Sequence, residues 1–157
     1  LIADRSSPSE LFASGKLLGR PSAGRMSMFF YDPKFKQRLP YYDTFPLVLP
    51  LEPMRGGFIG LNFHYLPYGA RFQFLQQLQK YSSNNKFDQS TKIQASYNSI
   101  KSNKYTKASI KRYLYSHVRS QFLRVNVNEM ALAAYLPVAQ FQGATIGQVF
   151  ARSRRTY

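Results

Sequence analysis

Between Arg25 and Leu66 the chain runs through three short apolar segments, each closed by proline or glycine, and this punctuation constrains the fold more than any other feature. Met26-Ser27-Met28-Phe29-Phe30-Tyr31 ends at Asp32-Pro33. Phe45 to Leu51 carries Pro46 and Pro50, and each proline removes an N–H that a sheet ladder would use, which confines this run to an edge or to bent pairing. Gly57 to Tyr65 follows Arg55-Gly56-Gly57, a turn sequence. Runs this short, bounded by turn residues, are strands. Together they predict a small, bent antiparallel sheet or partial barrel.

After Leu66 the periodicity changes. Pro67 opens a helix, where its missing N–H does no harm, and Phe72, Leu75 and Leu78 recur at three-residue spacing. Residues 82–88 form a polar loop, and a helix is expected over Thr91 to Ile100. An amphipathic helix is expected over 106–121, with Ile110, Tyr113, Leu114, His117 and Val118 on one side and Lys111, Arg112 and Arg119 on another. A strand follows near 122–127, then a short helix capped by Asn128 and ending before Pro137. Thr145 caps a last helix with Ile146, Val149 and Phe150 inward and the tail Arg152-Ser153-Arg154-Arg155 at its end. The fold class is α+β: a small bent sheet followed by a mainly helical half. Residues 1–24, rich in Ser, Gly and Pro, are expected to be an arm or linker docking through Leu11, Phe12, Leu17 and Leu18. Residues 25–157 are expected to form one domain, β-rich over 25–66 and mostly helical over 67–157 with the one strand near 122–127.

The chain is strongly basic, with 22 Lys and Arg against 7 Asp and Glu, a net charge of +15 over 157 residues. Self-repulsion on that scale is usually offset by a polyanion, with nucleic acid first, an anionic membrane second and an acidic protein third. Residues 1–88 hold 11 basic and 6 acidic side chains, net +5, whereas residues 89–157 hold 11 basic and 1 acidic, net +10. An ordinary solvated face mixes signs. Lys101, Lys104, Lys107, Lys111, Arg112 and Arg119, with Arg152, Arg154 and Arg155 of the tail, are therefore the candidate phosphate contacts.

Other chemistries find little support. With no cysteine there is neither a disulfide framework nor a thiolate metal site. Two histidines cannot build a His-rich site, and His64 and His117 are expected to be hydrogen-bonded core or boundary residues. Asp32, Asp43 and Glu52 could converge on a divalent ion for nuclease chemistry, but Asp32 and Asp43 both stand in ordinary turn contexts. Gly56-Gly57-Phe58-Ile59-Gly60 lacks the lysine and the following helix of a phosphate loop. Tyr41, Tyr42, Phe58 and Tyr65 could stack on unpaired bases, though core packing is the commoner fate of such rings. No catalytic residue, metal or cofactor is expected. The longest uncharged run, Met130 to Ala151, is broken by Pro137 and several Gln and Gly, so no membrane span is expected, and Asp4, Arg5 and Glu10 break any signal-peptide pattern. The sequence opens on Leu1 rather than Met, and an upstream segment is expected.

Several blocks carry a family resemblance: Met28 to Lys34, Leu39-Pro40-Tyr41-Tyr42-Asp43, Phe45-Pro46-Leu47-Val48, and Gly57 to Pro67. Ile93-Gln94-Ala95-Ser96-Tyr97, Lys111-Arg112-Tyr113-Leu114, His117-Val118-Arg119-Ser120 and Phe122-Leu123 extend it over most of residues 20–157. In these blocks the chain resembles the DNA end protector or head-completion family of contractile-tailed phages and cyanophages. It departs at Leu66-Pro67-Tyr68, where members often run Leu-Pro-Pro, and at Glu129-Met130, where an acid-aromatic pair often stands. The resemblance implies a virion protein, made in the host cytoplasm, that sits near the end of the packaged genome, shields it from exonucleases and helps to complete the head or neck. Its partners would be DNA, contacted non-specifically through the backbone, and other proteins of the head, neck or tail in a larger assembly. The alternative is a neck, tail or baseplate subunit whose basic surface binds acidic protein neighbours.

Overall fold

The proline-bearing run becomes an interior strand, and the fold is arranged around how it tolerates its prolines. A computed structural model describes residues 11–13, 15–21, 25–82, 107–125, 129–135 and 138–155. Among these, β1 (Lys16–Leu18), β2 (Ser27–Met28), β4 (Leu47–Met54), β5 (Gly57–Asn62), β6 (Ile110–Leu114) and β7 (Phe122–Arg124) form an open antiparallel sheet in the order β1-β7-β2-β4-β5-β6. A second, two-stranded sheet pairs β3 (Tyr42–Asp43) with β8 (Phe141–Gln142). The helices are α1 (Tyr68–Ser82), α2 (Met130–Tyr135) and α3 (Ile146–Arg155). The class is α+β.

β4 pairs with β2 only at Leu47 and Val48, opposite Met28 and Ser27, and of these Val48 also pairs with Asn62 of β5. Pro50 and Pro53 lie beyond β2, paired to β5 alone, and the register shifts between Pro50 and Glu52. The missing N–H groups thus face the open side or the bulge. Gly56, at φ +75°, completes the two-residue turn into β5, a conformation an L side chain rarely adopts. Residues 16–18, within the segment expected to be an arm, form the edge strand β1 against β7, and Leu11 is buried in the main core.

Both faces of the sheet are buried. One carries Met28, Leu47, Leu49, Leu51, Leu61 and Leu123, packed with Phe63, Phe74 and Leu75. The other is aromatic: Phe29, Tyr31, Phe58, Tyr113 and Phe122 with Val48. Phe29 is at its centre, with ring centroids of Phe122, Tyr113, Phe58 and Tyr31 at 4.7, 5.4, 6.0 and 6.1 Å. Tilted and edge-on pairs of this kind add to the free energy of burial.

The amphipathic helix expected over 106–121 is not formed. Residues 110–114 are β6, bracketed by single 3-10 turns at Lys107–Ser109 and Tyr115–His117. Because both faces of the sheet are covered, Ile110 packs into one core and Tyr113 into the other. An edge strand with apolar residues on both of its faces does not alternate cleanly, and its apolar spacing imitates a helix. Pairing with β5 decides the matter, Phe58 opposite Tyr113 and Leu61 opposite Ile110. The outer edge of β6 is capped where the Leu114 N–H donates to the Tyr31 hydroxyl at 2.9 Å. The helix expected over 91–100 lies outside the described residues.

In α1 the inward positions are Arg71, Phe74 and Leu75, whereas Phe72 is exposed. Arg71 is the largest fully buried side chain. Its guanidinium donates to the carbonyls of Leu66 (2.7 Å), Ala134 (2.6 Å) and His64 (3.1 Å) and lies 4.7 Å from the Tyr68 ring centroid. Burial lowers its pKa to about 10, so it stays cationic at neutral pH. In α3 the backbone N–H of Gln148 donates to Thr145 Oγ1, and Gln148 Oε1 accepts from Thr145 N, a reciprocal cap. Val149 and Phe150 are buried as expected, but Ile146 is exposed, because the first turn of α3 overhangs the core.

Arg71→Met leaves three buried carbonyls without their donor but also removes a buried charge, so a loss of about 2 kcal/mol is expected in urea denaturation. Arg71→Lys should cost more, since it keeps the charge in place with fewer bonds than the planar fork supplies. A lysine variant as stable as the wild type would show that the three-carbonyl geometry is not what holds these helices.

Candidate nucleic-acid interface

Formation of β6 redistributes the cations expected to share a helix face. Successive strand residues point to opposite faces of a sheet, so Lys111 and Arg112 separate. Lys111 pairs with Gly60, and its ammonium lies 4.2 Å from the Tyr65 ring centroid, where burial lowers its pKa. Arg112, opposite Ile59, is exposed on the other face. Arg119 is exposed, donating to the Ser116 carbonyl at 2.8 Å and standing 3.7 Å from Asp32 Oδ2. Arg152 is exposed on α3, 5.4 Å from the Tyr41 ring centroid, and the α3 backbone continues through Arg154 and Arg155. Lys107 lies in the 3-10 turn before β6, and Lys101 and Lys104 lie outside the described residues. The described members of the set are thus spread over the turn before β6, β6 itself, the turn after it and α3.

The first half contributes cations that the count by chain halves hides. Lys16 of β1 stands directly opposite Arg124 of β7, a like-charge pair that costs stability in isolation and suits an anionic partner. Arg20 lies 4.8 Å from the Tyr115 ring centroid. In the loop between Asp32 and Pro40, Lys34 Nζ and the Arg38 guanidinium sit 5.2 and 5.4 Å from the centroid of Phe35, and Lys36 Nζ bonds Asp32 Oδ1 at 3.0 Å. That hydrogen bond, with the charges of Lys36, Arg119 and His117, holds the Asp32 carboxyl below its ordinary pKa. The signal was present as Lys34-Phe35-Lys36-Gln37-Arg38, cations alternating around an aromatic.

The acids considered for metal chemistry do not converge. Among the described residues no group of three or more His, Asp or Glu is placed to hold a metal ion, and no helix is long and apolar enough to cross a membrane. Asp43 is instead the buried hub of a polar cluster. Its Oδ2 accepts from His64 Nδ1 (2.7 Å) and Asn62 Nδ2 (3.1 Å), and its Oδ1 accepts from the N–H groups of Phe45 (3.0 Å) and Gln140 (3.2 Å). Burial by itself would raise its pKa. The facing His64 ring and the donated hydrogen bonds outweigh that and leave the carboxyl below its ordinary value. His64 is wholly buried, so this pair is shut from any substrate and belongs to the core. His117 is a boundary residue, donating from Nδ1 to the Asp32 carbonyl at 2.9 Å. Of the aromatics considered for base stacking, Phe58 and Tyr65 are buried, and Tyr41 and Tyr42 are half-buried.

A family model described as the Phage T4 terminal DNA protecting protein matches residues 12–154, nearly the whole chain. The chain belongs to this family. Comparison with curated proteins and with solved structures gives no match. Membership in the terminal DNA protecting family makes this a phage protein with a DNA-protecting role. The match starts at Phe12, so it includes β1 and its Lys16–Arg124 pair, and it ends in the last turn of α3.

A carboxyl whose native pKa is lowered contributes stability that is complete above its unfolded value, near 4, and is lost as pH falls through the native value. The wild type should therefore lose stability steeply below about pH 4 as Asp43 is protonated. Asp43→Asn should be less stable at pH 7 and show a flatter acid limb in a near-ultraviolet circular dichroism titration. Asp32→Asn, on an exposed carboxyl, should leave that limb nearly unchanged.

Proposed function

We propose that this chain is a non-enzymatic virion protein that binds the ends of packaged phage DNA through non-specific phosphate contacts and takes part in completing the head. The observation that carries this reading is the family match across residues 12–154, and the net charge of +15 supports it. Phosphate contacts carry no sequence information: they need cations held outward on a stable frame, not a pocket. Arg112, Arg119 and Arg152 meet that requirement on β6, the turn after it and α3. Lys101, Lys104, Lys107, Arg154 and Arg155 add charge to the same half of the chain. Lys111 contributes less, because its ammonium is already desolvated against Tyr65. The protein acts by occupying the DNA, so no residue has to perform bond-breaking chemistry. Other proteins of the head, neck or tail are the neighbours this role requires, and the virion is its location.

Binding to linear duplex DNA should be tight at low salt and weaken linearly in a plot of log affinity against log salt. Arg112→Gln and Arg119→Gln should each reduce the slope by about 0.9, one phosphate contact apiece, without changing sequence preference. Lys111→Gln should change the slope less than either arginine variant. Absence of binding at low salt, or cleavage of end-labelled DNA in magnesium, would overturn the reading.

A further inference from the structure

The loop from Asp32 to Pro40 combines two features that a purely phosphate-binding surface does not need together. Phe35 is 54% exposed and Leu39 42%, an unusual amount of apolar surface for one loop in water. Lys34 and Arg38 stand over the Phe35 ring, while Lys36 and Arg119 both reach Asp32, the acid at the base of the loop. The charge is therefore net positive.

The loop is also held in place. Asp32 N donates to the His117 carbonyl at 3.0 Å, and Tyr31 bridges Val118. A single 3-10 turn at Lys36–Arg38 is closed by Arg38 N on the Phe35 carbonyl (2.9 Å) and Leu39 N on the Lys36 carbonyl (3.3 Å). At its far end Gly143, at φ +88°, lies so close to the Pro40 carbonyl that a side chain there would collide with it, and Tyr42 pairs with Gln142. The backbone thus presents Phe35 outward from fixed supports, and little ordering remains to be done on binding.

A duplex shows phosphates along its sides and hides the faces of its bases, and only a terminus exposes a flat, apolar base-pair face beside flanking phosphates. One ring among cations matches that composition. Cation–π contacts at an exposed ring are weaker than base–aromatic stacking combined with phosphate pairing, so the lysine and arginine can leave the ring for phosphates. We propose that Phe35, with Lys34 and Arg38 over its ring, is an end-recognition element: the ring stacks on the terminal base pair and the two cations hold the phosphates beside it. This rests on the reading of the chain as a DNA-end protein and assigns the end preference to one loop.

The test compares a blunt linear duplex with a covalently closed minicircle of the same sequence, using the full chain. The wild type should bind the linear form more tightly and slow its digestion by an exonuclease. Phe35→Ala should lose roughly 5- to 150-fold in affinity for the ends, the range for one stacked base, while binding the minicircle as before. The chain contains no tryptophan, so Phe35→Trp places a single indole at the site. Its fluorescence should be quenched by the linear duplex and not by the minicircle. If the wild type favours linear DNA and Phe35→Ala does so equally, with no quenching of Phe35→Trp, the loop assignment fails and the DNA-end function stands. A wild type that does not distinguish linear from closed DNA overturns the end-binding function and the loop assignment together.

Discussion

A carboxylate and a guanidinium, both buried and not bonded to each other, tie this fold together through one histidine. Asp43 accepts four hydrogen bonds, from Asn62 at the end of β5, from Phe45 just before β4, from the His64 ring and from Gln140 just before β8. The carbonyl of the same His64 accepts from Arg71, which reaches on to Leu66 and Ala134. The two charges are thereby satisfied mainly by polar groups of the backbone, with the Asn62 and His64 side chains completing the shell of Asp43. Such an arrangement is high-stakes, because each member left unpaired in a low dielectric would cost more than an apolar replacement. It joins the two-stranded sheet, the main sheet, α1 and α2 in a single network.

Beside that network, Phe29, Tyr31, Phe58, Tyr113 and Phe122 cover the second face of the sheet. Both faces of the sheet carry packed clusters, and Phe58 and Tyr113 are core rather than free to stack on bases. Charge is displaced to the margins: the β1–β7 edge, the turn after β6, the loop around Phe35 and the exposed side of α3. A protein that contacts phosphates along a duplex does not require those cations in a groove, since electrostatic attraction acts over several ångströms and is insensitive to register. The family match and the scattered distribution of charge are physically compatible for that reason.

The strands near 26–31, 45–51, 57–65 and 122–127 and the helix after Pro67 were legible because each carries a local signal, a turn residue, a proline or a run of apolar side chains. The cap at Thr145 was legible for the same reason: Gln148 stands three residues on. Residues 110–114 were not. Ile110, Tyr113 and Leu114 fit a helical stripe, and only the opposing Gly57–Leu61 segment makes them a strand. Arg71 was equally hidden, since nothing local distinguishes a solvated arginine on a helix from one that three distant carbonyls surround.

The sequence by itself determined the α+β class, the basic character, the lack of any thiol or disulfide chemistry and the family, because composition and short motifs are local properties that survive without a fold. Tertiary structure alone decided which cations point outward, that Lys111 and Arg112 part company, that Asp43 and Arg71 are interior, and that Phe35 is left in water. Each of these depends on residues far apart in the chain being brought together, and the burial, pairing and desolvation that result have no counterpart in the order of the amino acids.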